Sequence, residues 1–292
     1  MKKIKRIVLS CVLILTIGLA LVFLAKPHFL YILGEHIGVN CKKIEMNTVF
    51  PDNIKKFSLS ELKADAKVSF NQSLMLINSD CQLQDDFIPS LSAYKDTDVK
   101  INECLQEAYG KLSQAVDEAT GSKLFVSSAY RTKEEQQELY KEDPSTANPP
   151  DASEHQSGLG LDVYVRYYAG FGFIKTDAGQ FVNSKCWEYG FIIRYPSYGK
   201  SKTGMKYEPW HIRYVGEPHA EIIYNNHLTL EEYIQSLSCG DWYEVDGYLI
   251  SRQKPDDNGM LSLPCDFSNA VISFDNTGSY IITIANIDSE LK

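Results

Sequence analysis

The sequence predicts an α+β fold, in which an antiparallel sheet with flanking helices follows an N-terminal transmembrane helix and precedes a small C-terminal β module. Three observations predict this class. Residues 7–25 form an uncharged apolar run, helical and strand-like segments are interleaved from residue 98 to 238, and short strands with tight turns follow Gly240. The predicted divisions are a cytoplasmic tip and membrane anchor (1–25), a stalk or N-terminal extension (26–97), a main domain (98–238) and the β module (239–292).

The N-terminal segment has the length and flanking charges of a membrane anchor. A helix needs about 20 apolar residues to cross a bilayer, and the run Ile7–Ala25 nearly supplies them without a charge. Basic residues at positions 2, 3, 5 and 6 place the N-terminus in the cytoplasm. A cleaved signal peptide is the alternative, but the run is long and Phe23-Leu24-Ala25 is a poor cleavage site. With either topology, the chain from about Lys26 onward lies outside the cytoplasm.

The main domain contains helices and strands with clear end signals. Apolar residues at helical spacing run from residue 104 to Gly121, which ends the helix. A strand follows at 123–130, and Thr132 is placed to cap the next helix. Further along we predict a loop at 141–157, a strand at 159–167, a short helix ending at Gly190, strands at 191–196 and 210–216, and two helices over 217–237 with a break near Asn225.

The flanking regions are less regular. Residues 26–97 are polar and interrupted by prolines, with a strand-like stretch at 66–78. After residue 240, Asp-Gly, Asn-Gly and Thr-Gly steps separate short strands and are typical of hairpins. The formal net charge of −9 at pH 7 argues against nucleic acid as a partner, because phosphate binding needs a basic surface.

The cysteines leave two possibilities open. Of the 7 cysteines, Cys11 falls within the apolar run, and the chain has no CxxC pair that would suggest a thiolate zinc site. Free buried thiols are one possibility for the others. The alternative, favoured only by sequence proximity, is pairing as Cys41–Cys81, Cys104–Cys186 and Cys239–Cys265.

Charged and imidazole side chains interrupt apolar segments at two places. His155 and Asp162 lie in SEHQSGLGLDVYV, and Glu208 and His211 lie in EPWHIRYV. A charge buried in a strand costs several kcal/mol unless it is paired or bound to a metal. His155, Asp162 and His211 therefore form a predicted three-ligand set with a fourth position open, which is the arrangement of a catalytic zinc.

Glu208 is better suited to a second role than to completing the metal's ligands. A carboxylate beside the open position can act as the general base for water activated by the metal. Gly158 and Gly160 let the backbone approach the metal or the substrate closely. The structural alternatives are an Asp162 satisfied by backbone amides and a Glu208–His211 pair at the surface.

These motifs resemble those of the VanY-type D-alanyl-D-alanine carboxypeptidases and the related D-Ala-D-Ala dipeptidases. SEHQSGLGLD resembles their S-x-H-x-x-G-x-A-x-D signature, EPWH their E-x-W-H motif and SAYR their S-x-Y-R element. The resemblance covers roughly residues 98–237, with the motifs in the family's order. Gly160 stands where the family usually has Ala, a small change that we expect to be tolerated.

The resemblance implies roles for the residues of the site. His155, Asp162 and His211 would hold Zn²⁺, and Glu208 would act first as the base and then as the acid that protonates the leaving amine. Arg131 would stabilise the developing oxyanion or clamp the substrate's terminal carboxylate.

Four further residues have weaker assignments. Gln136 and Ser153 are candidates for substrate contacts, with a helix surface and a loop cap as their structural alternatives. Trp210 is expected to form a wall of the pocket, and His219 to cap a helix. The alternative for Arg131 is a surface salt bridge to Glu134 or Glu135.

The function implied is a single-pass cell-membrane carboxypeptidase with its catalytic domain outside the cytoplasm. It would trim peptidoglycan stem peptides ending in D-Ala-D-Ala, either in wall maturation or in glycopeptide resistance. An L,D-carboxypeptidase and a peptidoglycan endopeptidase would use the same metal site. A non-catalytic wall-binding protein is the alternative from another class, and the presence of Glu208 beside all three ligands argues against it.

Overall fold

The structure is a computed structural model that describes residues 16, 18, 27–144, 146–267 and 269–285. The predicted transmembrane segment, residues 7–25, lies outside these residues apart from positions 16 and 18. Within the described part of the chain, no helix is both long enough and apolar enough to cross a bilayer.

Helices and strands follow one another in mixed order. The described strands are β1 (Asn47–Val49), β2 (Ile54–Ser58), β3 (Val68–Asn71), β4 (Leu91–Ala93), β5 (Lys100–Asn102), β6 (Phe125–Ser128), β7 (Gly160–Tyr164), β8 (Phe191–Ile193), β9 (His211–Tyr214), β10 (Trp242–Val245), β11 (Tyr248–Gln253), β12 (Met260–Pro264), β13 (Ala270–Phe274) and β14 (Tyr280–Ala285). The described α-helices are α1 (Pro27–His36), α2 (Leu59–Ala64), α3 (Gln106–Thr120), α4 (Lys133–Glu142), α5 (Asp177–Lys185), α6 (Lys200–Thr203), α7 (His219–Asn225) and α8 (Leu230–Ser236). Short 3₁₀ helices lie at Glu103–Leu105, Glu154–Ser157, Gly170–Lys175 and Cys186–Tyr189.

The sheet that positions the site has the antiparallel order β6-β7-β9-β8. Strand β7 alternates its side chains, as the period of two requires. Leu161 and Val163 are fully buried against the core, which includes Leu112 of α3 and Val182 of α5. Each such buried apolar side chain contributes roughly 1.5–3 kcal/mol to stability. Asp162, between them, projects from the opposite face of the sheet.

The residues that the sequence predicts to begin or end helices do so in the structure. Thr132 and Glu135 form a reciprocal capping box at the start of α4. Gly121 ends α3 and Gly190 ends the 3₁₀ turn after α5, both in the left-handed conformation with φ of 66° and 76°. These predicted ends are confirmed. The predicted loop at 141–157 is shorter than expected, because α4 extends to Glu142 and a 3₁₀ helix begins at Glu154.

A second sheet joins the two ends of the described chain. Its order is β1-β10-β11-β14-β13-β3, and only the β13–β3 pair among these is parallel. Strand β2 pairs with β12 in a separate ladder. The region predicted as an N-terminal extension therefore shares its strands with the region predicted as a C-terminal β module.

The cysteines in the described residues are free thiols. Cys186 is buried in the core, Cys41 donates to the carbonyl of Tyr224, and Cys239 accepts from the amide of Lys254. Cys81, Cys104 and Cys265 are likewise unpaired. The pairing favoured by sequence proximity is therefore wrong. The chain folds these cysteines onto different elements, and nearness in sequence carried no information about nearness in space.

His219 joins two parts of the fold instead of capping a helix. It begins α7, where Pro218 is the N-cap and no side chain caps the helix. The imidazole is buried and lies 2.6 Å from the Tyr233 hydroxyl through Nδ1 and 2.8 Å from the Thr283 hydroxyl through Nε2. Burial lowers the pKa of His219 to about 3. The helix-cap prediction is therefore wrong, and His219 links α7 to α8 and β14 as a neutral side chain.

We expect stability to fall in acid through His219. Its pKa is 6.5 when unperturbed and about 3 when folded, so below pH 6.5 the unfolded chain takes up a proton that the folded chain does not. The free energy of unfolding then falls by about 1.4 kcal/mol per pH unit and is fully recovered above pH 6.5. Urea unfolding of wild type and His219→Gln across this window measures the effect. Equal pH dependence in the two proteins would contradict it.

Candidate active site

Strand register and a preceding 3₁₀ helix bring three metal-binding side chains together. Asp162 of β7 and His211 of β9 are direct cross-strand partners. His155 reaches the same point from the 3₁₀ helix Glu154–Ser157, just before β7. One ligand atom from each of the three lies within 4.8 Å of the others. This is the set of residues that the two sequence motifs predict.

The hydrogen bonds of the histidines decide which nitrogen faces the site. Nδ1 of His155 lies 2.8 Å from the carbonyl oxygen of Ala129. A carbonyl can only accept, so Nδ1 carries the proton and Nε2 keeps its lone pair, 3.4 Å from Oδ2 of Asp162. His211 instead presents Nδ1, which lies 3.0 Å from Oδ1 of Asp162.

The electrostatics of the cluster suit a cation. Oδ1 of Asp162 is buried and, among the described residues, accepts no hydrogen bond. Burial alone would raise the pKa of Asp162, but His155 and His211 hold it well below its usual value. Burial would likewise lower the pKa of His211, yet its carboxylate neighbours raise it to about 10. A group of two imidazoles and one carboxylate that favours positive charge fits a bound divalent metal.

Glu208 lies at the edge of this cluster. Its Oε2 is 3.8 Å from Nδ1 of His211, and its side chain is only 16% exposed. Burial raises the pKa of Glu208 to about 7, against the lowering effect of His211. A buried carboxyl group beside a metal-binding set has the geometry of a general acid or base.

Arg131 lines a pocket together with the metal-binding residues, and its neighbours hold it in place. Its Nη1 donates to Oε1 of Gln136 at 2.6 Å, and its Nη2 donates to the Ser128 hydroxyl at 2.7 Å. Gln136 is buried and donates in turn to the carbonyl of Asn148 at 2.6 Å. Gln136 therefore orients Arg131 within the pocket instead of lying on a helix surface. Arg131 binds Gln136 and Ser128 in the pocket and does not form the alternative surface salt bridge to Glu134 or Glu135.

All of the residues predicted for the site border one cavity of about 340 Å³. Ser153 lines it beside His155, and its side chain makes no capping hydrogen bond to the 3₁₀ helix that follows. Apolar and aromatic walls come from Leu139, Tyr195, Met205 and Trp210, as expected for Trp210. The segment with Thr146, Ala147 and Asn148 closes one side. The volume suits the end of a peptide chain.

Three buried charged residues behind the site had not been identified from the sequence. Glu154, Arg194 and Arg213 have fully buried side chains and form ion pairs. The signal was present, because Arg194 interrupts FIIRYP and Arg213 interrupts HIRYV, both otherwise apolar or aromatic. A buried guanidinium requires an acidic partner, and Glu154 of the SEHQ motif is that partner.

Known proteins are similar to this chain over the region that contains the site. The model of the D-alanyl-D-alanine carboxypeptidase family VanY matches residues 98–217. A D-alanyl-D-alanine carboxypeptidase of Enterococcus faecium is 34% identical over 195 residues, which are 61% of this chain and 60% of that relative. The bifunctional D-Ala-D-Ala dipeptidase and carboxypeptidase VanXYC of Enterococcus gallinarum is 33% identical over 183 residues, 57% of this chain and 95% of the relative. The chain thus spans less than two thirds of the first relative.

Solved structures show the same fold. A VanY D,D-pentapeptidase from a VanB-type resistance cassette, in complex with Zn(II), has a TM-score of 0.50 and 29% identity, covering 56% of this chain and 98% of that one. The LdcB LD-carboxypeptidase has a TM-score of 0.52 and 30% identity, covering 56% and 86%. The D,D-dipeptidase VanXYg, at 22% identity, shares the fold over 82% of this chain and 99% of its own, with a TM-score of 0.61.

The antiparallel sheet, the His–Asp–His set and these matches define a class of peptidase with a metal site on one face of its sheet. Within that class, the chain belongs to the D-alanyl-D-alanine carboxypeptidase family VanY.

Proposed function

We propose that the protein is a zinc-dependent D-alanyl-D-alanine carboxypeptidase that removes the terminal D-Ala from peptidoglycan stem peptides. The observation that carries the proposal is one pocket in which Glu208, the three metal-binding side chains and Arg131 meet. A peptidase acting at a free chain end needs a base, a polarised carbonyl and a cation for the terminal carboxylate. Membership of the VanY family supports the same assignment.

Zinc is the metal that this ligand set suits best. Nε2 of His155, a carboxylate oxygen of Asp162 and Nδ1 of His211 would hold it, leaving a position open. A bound zinc ion supplies Lewis acidity toward the scissile carbonyl and lowers the pKa of water. The VanB-type VanY structure in complex with Zn(II) supports this choice of metal.

Glu208 carries the proton transfers. Its carboxylate takes a proton from the attacking water as the new bond to the carbonyl carbon forms. The carboxyl group then donates that proton to the amide nitrogen as the C–N bond breaks. The leaving D-Ala departs as a free amine, and Glu208 returns to its starting state. Burial behind the pocket rim keeps bulk water from competing for the proton.

Arg131 binds the terminal carboxylate and thereby selects a chain end. Gln136 and Ser128 each bind one terminal nitrogen of its guanidinium. Its other N–H donors have no partner among the described residues and can bind the substrate's carboxylate. Tyr195 and Trp210 border the cavity and give the small methyl side chain of D-Ala an apolar surface.

We expect Arg131→Lys to lower kcat/KM about 10- to 100-fold, because a lysine cannot form the paired hydrogen bonds of a guanidinium. Steady-state kinetics on a stem pentapeptide and on its C-terminal amide measure this. Wild type should prefer the free acid strongly, and the variant should lose most of that preference. Arg166→Lys, an exposed arginine outside the pocket, is the matched control. An unchanged preference for the free acid would rule out the clamp.

Mass spectrometry of stem peptides before and after incubation tests the proposed activity. Loss of one D-Ala from a pentapeptide, abolished by EDTA, is the expected result. Loss of D-Ala from a tetrapeptide would identify an L,D-carboxypeptidase, and cleavage of cross-linked dimers an endopeptidase. No cleavage by a zinc-loaded protein would identify a non-catalytic wall-binding protein. Each of the last three results overturns the proposal.

We further propose that residues 7–25 anchor the protein in the cell membrane with the pocket outside the cytoplasm. The apolar run and its preceding basic residues support this topology. Membrane fractionation with alkaline extraction should leave the full chain in the membrane, and protease added to intact protoplasts should digest the catalytic region. A soluble product lacking the first residues, identified by intact mass, would indicate a cleaved signal peptide instead.

A further inference from the structure

Glu154 lies directly behind the metal-binding set. It precedes His155 in the 3₁₀ helix, and its side chain is completely buried. One oxygen, Oε1, accepts from Nε of Arg194 at 2.7 Å and also from Nη1 of Arg213. The two arginines therefore fix this oxygen and the orientation of the carboxylate.

The other oxygen of Glu154 points at His211. Oε2 of Glu154 lies 3.8 Å from Nε2 of His211, the ring nitrogen on the side away from Asp162. Both atoms are buried, and within the described chain neither has a hydrogen-bond partner. Two orphaned polar atoms that face each other across a short gap are complementary, because the carboxylate can accept the proton that an imidazole N–H donates.

The surrounding structure keeps this gap narrow and free of side chains. Arg194 is held by Glu231 at 2.6 Å, and Arg213 donates to the carbonyls of Ser73 and Met75. A Cβ at Gly160 would lie 3.0 Å from Nε2 of His211 and 3.2 Å from Cβ of Glu154. The glycine therefore leaves the space through which the carboxylate faces the ring.

We propose that Glu154 is a positioning residue that accepts the Nε2–H of His211 and so holds the tautomer whose Nδ1 lone pair faces the metal. A carboxylate or carbonyl behind a metal-binding histidine commonly has this role. His155 is oriented in the same way by the carbonyl of Ala129, so each histidine of the set has its own acceptor. The inference rests on the zinc site of the proposed function.

Glu154→Gln tests the role by reversing the group that faces His211. The two arginines will bind the amide oxygen, which turns the NH₂ group toward Nε2 of His211. A donor at that position favours the tautomer with its proton on Nδ1, the nitrogen that the metal needs. We expect zinc affinity, measured by chelator competition, to fall about 10- to 100-fold. In the zinc-loaded protein, the Nε2–H of His211 should exchange with water faster in the variant than in wild type, because no acceptor then faces it.

Glu231→Gln is the matched control. It removes a carboxylate from the same arginine network at Arg194 but does not touch His211. We expect it to lower the melting temperature and to leave unchanged both the zinc affinity and the exchange rate of the His211 Nε2–H in the zinc-loaded protein. If Glu154→Gln folds and its zinc affinity and its His211 Nε2–H exchange rate match those of Glu231→Gln, the positioning role is excluded.

Two further measurements cover the case in which Glu154→Gln does not fold. Glu154→Asp keeps the charge that the arginines need but withdraws the carboxylate from His211, and it should also weaken zinc binding. In zinc-loaded wild type, the Nε2–H of His211 should exchange slowly with water, and rapid exchange would exclude the hydrogen bond. A wild-type protein that binds no zinc would instead contradict the proposed function, which separates the two failures.

Discussion

Glu208→Gln is expected to lower kcat roughly 10²- to 10⁴-fold, the usual contribution of a general acid–base group, while the protein still binds one zinc ion. Glutamine keeps the size of the side chain but can neither take the proton from water nor deliver it to the leaving amine. Because Glu208 lies outside the His–Asp–His set, its charge is not needed to hold the metal. Release of D-Ala from a pentapeptide, together with metal analysis of the same sample, measures both effects.

The control for this result is Glu118→Gln, an isosteric change at an exposed residue of α3 that does not line the cavity. It should retain wild-type kcat and zinc content. A Glu208→Gln protein that turns over at the wild-type rate with zinc in place would remove Glu208 from the mechanism. Loss of zinc from the variant would instead move Glu208 into the set of ligands.

The parts of the fold that were predictable are those with local causes. Thr132 caps α4 through the amide of Glu135, a residue only three positions away. Gly121 and Gly190 end helices because the left-handed conformation costs glycine nothing. The metal-binding residues could also be predicted, since His155 and Asp162 lie in one motif and His211 in another. The antiparallel register of β7 and β9 brings the two motifs together.

The shared sheet could not be predicted because its causes are not local. Strand β1 pairs with β10 and β3 pairs with β13, and nearly two hundred residues of sequence separate the members of each pair. Short strands such as Asn47–Val49 carry too little pattern to specify a distant partner. Their register is fixed by the common core that both ends of the chain bury, and a single sequence does not report that core.

The ion pairs behind the site could have been predicted by the argument that identified Asp162, which is the free-energy cost of burying an unpaired charge. Arg213 lies in the apolar strand β9 and Arg194 directly follows β8. Like Asp162, each is a buried charge, and a buried charge without a partner is too costly for a stable fold. What the sequence lacks is the direction of each side chain. Which carboxylate the arginines reach depends on the 3₁₀ helix that turns Glu154 inward, and that turn was predicted as part of a loop.

Asp162→Ala is expected to abolish zinc binding while changing the stability of the metal-free fold only slightly. Loss of a direct ligand should weaken affinity by more than the roughly 10- to 100-fold that an outer hydrogen-bond partner costs. Without metal, the substitution removes the ion pairs of Asp162 with His155 and His211, but it also removes the desolvation cost of a buried carboxylate, and the two effects offset each other in part. We therefore expect the metal-free melting temperature to change by no more than about 4 °C, equivalent to roughly 1 kcal/mol.

Melting curves with and without zinc separate the two effects. Wild type should gain stability with rising zinc concentration, because the ligand binds only the folded state, and Asp162→Ala should gain none. Asp275→Asn is the matched control, since Asp275 is a buried carboxylate that binds Arg252 and the amides of Thr277 and Ser279. That variant should melt earlier and keep its zinc-dependent gain. If Asp162→Ala retained the gain, Asp162 would be a structural carboxylate and the metal would lie elsewhere.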